Sequence, residues 1–157
     1  MNADWITPPD VVYVTYIKAA PQRIWDALTS PEISQLMFFG LRVQSDWKPG
    51  GHWAFHTPDG AVHDEGEVLE ADAPKRLKLS WRVVFIEEAR GLPPAFITYE
   101  LEPCGEATRL TMTQHQPEPI PKIFYEGGKQ GWPLILSILK SVLETGAGFT
   151  VKLPPPG

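Results

Sequence analysis

Between Trp132 and Leu143 the chain carries apolar residues round too much of a helix for any of it to be left in water. Trp132, Ile135, Leu136, Leu139 and Leu143 mark one face at helical spacing, and Leu134, Ile138 and Val142 widen the arc beyond a surface stripe. Such a helix has to be covered on more than one side. Pro133 fits its first turn, and Gly146, after Leu143-Glu144-Thr145, fits its C-terminal stop. Whatever precedes this helix must therefore supply a concave apolar surface.

The preceding residues read as strands. Val11–Ile17 is rich in Val, Tyr, Thr and Ile and predicts a first strand. Pro21 then opens a helix whose stripe is Ile24, Trp25 and Leu28. Ser30-Pro31 predicts a serine-capped second helix burying Ile33, Leu36 and Met37. Across residues 40–115 the pattern becomes alternation interrupted by Lys48-Pro49-Gly50-Gly51, Pro58-Asp59-Gly60, Ala73-Pro74-Lys75 and Pro103-Cys104-Gly105. Leu77, Leu79, Trp81, Val83 and Phe85 alternate with Lys78, Ser80 and Arg82, and Ile97, Tyr99 and Leu101 alternate with Thr98 and Glu100, so each strand has a wet face and a dry one. Residues 117–131 read as a loop by their Pro and Gly content, in which Ile123, Phe124 and Tyr125 need a packing partner. The dry faces have one place to hide, round the last helix. The expected fold is α+β, a curved antiparallel sheet of about six or seven strands gripping a long C-terminal helix, with two short helices after the first strand. One domain over residues 11–149 is expected, with an N-terminal tail at 1–10 and a Pro-rich tail at 150–157.

Charge and cysteine content narrow the function classes. A net charge of -5 and a pI near 5.3, with no basic run longer than Lys75-Arg76, argue against nucleic acid. No apolar run approaches the roughly 20 residues of a membrane span. The single Cys104 and the lack of a signal-like N-terminal stretch lead to the expectation of a cytoplasmic protein.

Four stretches carry a family resemblance: Ala20-Pro21 with Ile24-Trp25-Asp26-Ala27-Leu28-Thr29-Ser30-Pro31-Glu32; Ser45-Asp46-Trp47-Lys48-Pro49-Gly50; Gly66-Glu67-Val68-Leu69-Glu70 with Pro74 and Leu77; and Gly131-Trp132-Pro133 to Leu139-Lys140 and Leu143-Glu144-Thr145-Gly146. Together they resemble the heat-shock-protein-90 ATPase activator homologues of the START-like superfamily, the last stretch most specifically. The resemblance implies the helix-grip fold and a cavity between sheet and last helix. It does not choose a chemistry, because the superfamily includes lipid carriers, polyketide cyclases, hormone receptors and chaperone activators. Two features depart from the family pattern and bear on the cavity mouth, a long loop at residues 87–94 and the Pro-rich string Gln116-Pro117-Glu118-Pro119-Ile120-Pro121.

Hairpin registers indicate which side chains face that cavity. A two-residue turn at Asp59-Gly60 pairs Trp53 with Gly66, where the missing side chain makes room for the indole, and Phe55 with Asp64. The turn between Pro103 and Glu106 places Tyr99 beside Met112 and Ile97 beside Gln114. Trp53, Phe55, Trp81, Tyr99, Met112 and Gln114 thus converge with Trp132, Ile135 and Leu139, and Trp25, Phe39 and Phe124 complete the candidate lining. Two readings stay open. The rings either fill the core or line a pocket for a hydrophobic or aromatic small molecule, anchored by Asp64, Tyr99 and Gln114.

The same register puts His52, His56, His63, Glu65 and Glu67 on the outward face with His56 opposite His63, a set of zinc-type donors on what is also an ordinary wet sheet face. As a cyclase-like or isomerase-like enzyme the chain would use Asp64 as a buried base, with Tyr99 as donor, for a proton transfer. No Ser-His-Asp or Cys-His set and no phosphate loop is recognisable, so catalytic residues, metal and cofactor are all expected to be absent. The resemblance supplies a chaperone as the alternative partner, and apolar positions on the last helix leave monomer and homodimer both open.

Overall fold

The computed structural model describes residues 4–152. Most of the Pro-rich end read as a tail, from residue 153 on, lies outside them, as do residues 1–3. In chain order the elements are β1 (Trp5–Ile6), β2 (Val11–Ile17), α1 (Pro21–Thr29), α2 (Pro31–Met37), β3 (Arg42–Ser45), β4 (His52–His56), β5 (Val62–Asp72), β6 (Arg76–Val83), a 3-10 turn (Glu87–Ala89), β7 (Ala95–Cys104), β8 (Ala107–His115), β9 (Ile120–Pro121) and α3 (Lys122–Thr145). Seven strands form one antiparallel sheet in the order β2-β8-β7-β6-β5-β4-β3. Its dry face closes on α3 with Ile17, Val68, Leu77, Leu79, Ile97, Leu110 and Met112, all nearly or fully buried. This is the α+β helix-grip arrangement expected from the alternation.

Four local expectations need correction. The segment 117–131 is not a loop throughout: α3 begins at Lys122 and runs for 24 residues, so Pro133 sits inside the helix rather than in its first turn. Proline has no N–H to give the carbonyl four residues back, and the Tyr13 hydroxyl donates to that carbonyl, Lys129 O, at 3.4 Å. Ser30 precedes α2, but its hydroxyl donates to Glu32 Oε2 at 3.1 Å instead of capping the helix backbone. Leu36, expected on the buried side of α2, is 53% exposed, and Ser34 is buried in that turn, where its hydroxyl bonds Leu41 O and receives Val43 N–H.

The fourth correction concerns the β4–β5 hairpin. The turn has three residues, Pro58 to Gly60, with Thr57 N bonded to Ala61 O and Gly60 in the left-handed region at φ 91°. Trp53 pairs with Gly66 and Phe55 with Asp64 as the register predicts, yet His56 pairs with Val62. His63 is therefore the extra residue of a β-bulge. The bulge absorbs the longer turn and returns the rest of β5 to its expected register. Within the segment read as an N-terminal tail, β1 pairs with β9 immediately before α3, Trp5 with Pro121 and Ile6 with Ile120.

Candidate functional site

The middle of the concave face is filled by rings. Trp53 and Trp81 lie 4.5 Å apart between centroids, Phe55 and Trp81 5.5 Å, Trp81 and Trp132 5.4 Å, and Phe38 closes on Phe55 at 4.6 Å. Tilted and edge-on contacts of this kind suit the ring quadrupoles. Gly66 admits the Trp53 indole, which donates to Ser80 O at 2.9 Å. A Cβ at Gly66 would overlap that same carbonyl oxygen and lie 2.8 Å from Trp53 Nε1.

Beyond Trp81 and Trp132 the face opens into a cavity of about 850 Å³. Ile97 and Gln114 line its sheet side, Phe124, Gly127, Gly128, Gly131 and Ile135 its helix side, and residues 85–93 close one flank. Phe39, Phe85 and Ile123, exposed by 62%, 51% and 72%, mark where it meets solvent. Buried Gln116 ties the flank down, its amide reaching Pro94 O at 3.3 Å and Glu118 O at 3.2 Å.

The thirteen residues expected to line the site therefore divide in two. Phe39, Asp64, Trp81, Gln114, Phe124, Trp132 and Ile135 reach the cavity. Trp25, Trp53, Phe55, Tyr99, Met112 and Leu139 are core residues away from it, each no more than 8% exposed. The two readings left open by the sequence apply to different parts of one aromatic set.

Asp64 is the buried carboxylate of the site, 6% exposed. Burial pushes its carboxyl above the ordinary range, opposed by hydrogen bonds from His63 and the Trp81 indole. His63 Nδ1 stands 2.7 Å from Asp64 Oδ2, and its ring stacks on Phe85 with centroids 3.7 Å apart and planes at 17°. Neighbours on a regular strand face opposite ways, so the bulge explains how His63 and Asp64 both line one cavity. Alternation assigned His63 to the outward face. Glycine at the third turn position is the only sequence signal that could have corrected it.

Tyr99 does not serve Asp64. Tyr99 pairs with Leu77 and Asp64 with Val83, six residues of β6 apart, which is about 20 Å of extended strand. Burial alone raises the Tyr99 phenol far above its usual range. The outward donor set is also dispersed: His52 pairs with Glu65 at 3.0 Å, His56 lies opposite Val62, and His63 belongs to Asp64. Among the described residues no three His, Cys, Asp or Glu side chains are grouped to hold a metal ion. Nor is any described helix long and apolar enough to cross a membrane.

Comparison with known proteins agrees with this architecture. Protein MLL2253 from Mesorhizobium loti superposes with a TM-score of 0.72 at 26% identity, over 87% of this chain and 97% of its own. The Aha1 dimer from Colwellia psychrerythraea gives 0.71 at 20% identity over 90% and 100%, and PFC0360w, an HSP90 activator from Plasmodium falciparum, 0.64 at 19% over 78% and 86%. No curated protein sequence gives a significant match. The model of the family described as activator of Hsp90 ATPase homolog 1-like protein matches residues 18–144. With most of its length so matched and its sheet closed round one long helix, the chain belongs to that START-like family.

Proposed function

We propose that this protein binds a hydrophobic or aromatic small molecule in the cavity between the sheet and the first half of α3. The observation that carries the reading is a space of about 850 Å³ with mainly apolar walls and a few polar groups, Asp64, His63 and Gln114 among them. That composition suits recognition of a small molecule. Native mass spectrometry of gently purified protein should show a stoichiometric adduct, either carried through purification or formed on incubation with a diverse hydrophobic library. Gly131→Phe, which puts a ring into the cavity where a Cβ meets nothing within 4 Å, should abolish it. A clean apo mass under both conditions would overturn the reading.

A second reading, ATPase activation of a heat-shock-protein-90-type chaperone, is favoured by the family match over residues 18–144. Its test is stimulation of the chaperone's ATP turnover by added protein. The dimeric Colwellia neighbour supports a second copy of the chain as a further partner. The lone Cys104 supports a cytoplasmic setting for either role.

A further inference from the structure

The cavity has one polar feature whose hydrogen-bonding polarity is set by its neighbours. Trp81 can only donate through its indole N–H, and its interaction with the Asp64 carboxyl favours the charged form. The ionised carboxylate accepts from His63, whose Nδ1 is 2.7 Å from Oδ2. The proton of the neutral imidazole is thereby fixed on Nδ1, leaving Nε2 with its lone pair. Phe85 stacked on the ring holds its plane, and His63 keeps a quarter of its side-chain surface accessible while lining the cavity.

We propose that His63 Nε2, oriented by Asp64 and Phe85, accepts a hydrogen bond from a hydroxyl of the cavity's ligand, which makes that ligand a polycyclic or aromatic alcohol of phenol type. The inference rests on the small-molecule reading above and names its ligand class. Other charges at the site support a neutral donor. Buried Asp64 would repel a carboxylate ligand, and the other lining charges, Glu88 and Arg82, are exposed side chains. A plain hydrocarbon would leave Nε2 without a partner, which a hydroxyl supplies.

The test uses a phenanthrol and its methyl ether, two probes of similar shape of which one carries a hydroxyl proton, titrated while following the intrinsic tryptophan fluorescence, to which the cavity-lining Trp81 and Trp132 contribute. The wild-type protein should bind the phenanthrol roughly tenfold more tightly, the value of one net hydrogen bond. His63→Phe should bind both probes equally. Asp64→Asn can still accept from Trp81 but donates its amide to Nδ1, moving the imidazole proton to Nε2, so preference should shift toward the ether. Equal binding of the two probes by the wild type, or a preference that survives in His63→Phe, would overturn the hydroxyl inference and leave the cavity reading intact. Failure of the wild type to bind either probe would overturn this inference, and the cavity reading falls with it only where native mass spectrometry also shows a clean apo mass. Circular dichroism establishes that each variant is folded, and if Asp64→Asn is not, His63→Phe alone decides.

Discussion

One concave face has two ends that behave differently. Around Trp53 the rings meet one another, and the second half of α3 covers the core with Leu136, Ile138, Leu139, Val142 and Leu143. Past Trp132 the sheet still offers apolar residues such as Ile97 and Val83 beside Asp64 and Gln114, but α3 presents Gly127, Gly128 and Gly131, and a Cβ at either Gly127 or Gly131 would meet nothing within 4 Å. The difference lies in the helix. The cavity exists because one half of α3 lacks the side chains that fill the other half's share of the same groove.

The sharpest way to break this comparison is at the packed end. Gly66→Ala drives a methyl into Ser80 O and toward Trp53 Nε1, and should cost about 4 kcal/mol or prevent folding. Urea unfolding measures it, and a mild effect would mean that the packed end is looser than its contacts indicate. Leu139→Ala, at a fully buried position, should cost about 3 kcal/mol by the same measurement. Phe85→Ala at the open end, half exposed, should cost under about 1 kcal/mol while weakening ligand binding.

Smaller substitutions sharpen the contrast. Gly131→Ala should stabilise the protein by roughly 0.5–1 kcal/mol, since alanine removes the helix penalty of glycine at a position with open space beside it. A gain in Tm confirms it, and a loss would mean that the space is occupied. The smallest effect belongs to Asp64. Its folded carboxyl titrates above its unfolded value, so the charged form destabilises the fold at neutral pH. That cost is relieved as pH falls through the raised pKa toward the ordinary value, because the folded state takes up the proton first. Asp64→Asn should accordingly melt slightly higher than wild type at pH 7, and the gap should close toward pH 4. Melting curves across that range would show a constant gap if the carboxyl were not desolvated.

Where turn chemistry was unambiguous, the sequence specified the structure. Gly105 lets Cys104 and Ala107 close a two-residue turn, and from there alternation places Tyr99 against Met112 and Ile97 against Gln114. The β4–β5 hairpin defeated the same method near its tip, because an added turn residue and a bulge cancel for Asp64 and Gly66 but not for His63. The first half of α3 was illegible for another reason. Three glycines and the prolines ahead of it give residues 117–131 the local propensity of a loop, while the packing of Trp132 just beyond it and the short β1–β9 pairing make most of it helical. The division of the aromatic set between filler and wall was beyond periodicity altogether, since alternation shows which way a ring points and not what stands opposite it.

The bulge at His63 also gives the fold an evolutionary degree of freedom. One residue gained in the tip of the hairpin is cancelled three positions later, so every core pairing from Asp64 onward is indifferent to it. A chain with the shorter tip would keep Trp53 over Gly66 and Phe55 beside Asp64, and would turn its residue 63 out to solvent. A single insertion or deletion at Pro58-Asp59-Gly60 can therefore grant or withdraw an imidazole at the cavity, letting selection alter recognition without disturbing the scaffold.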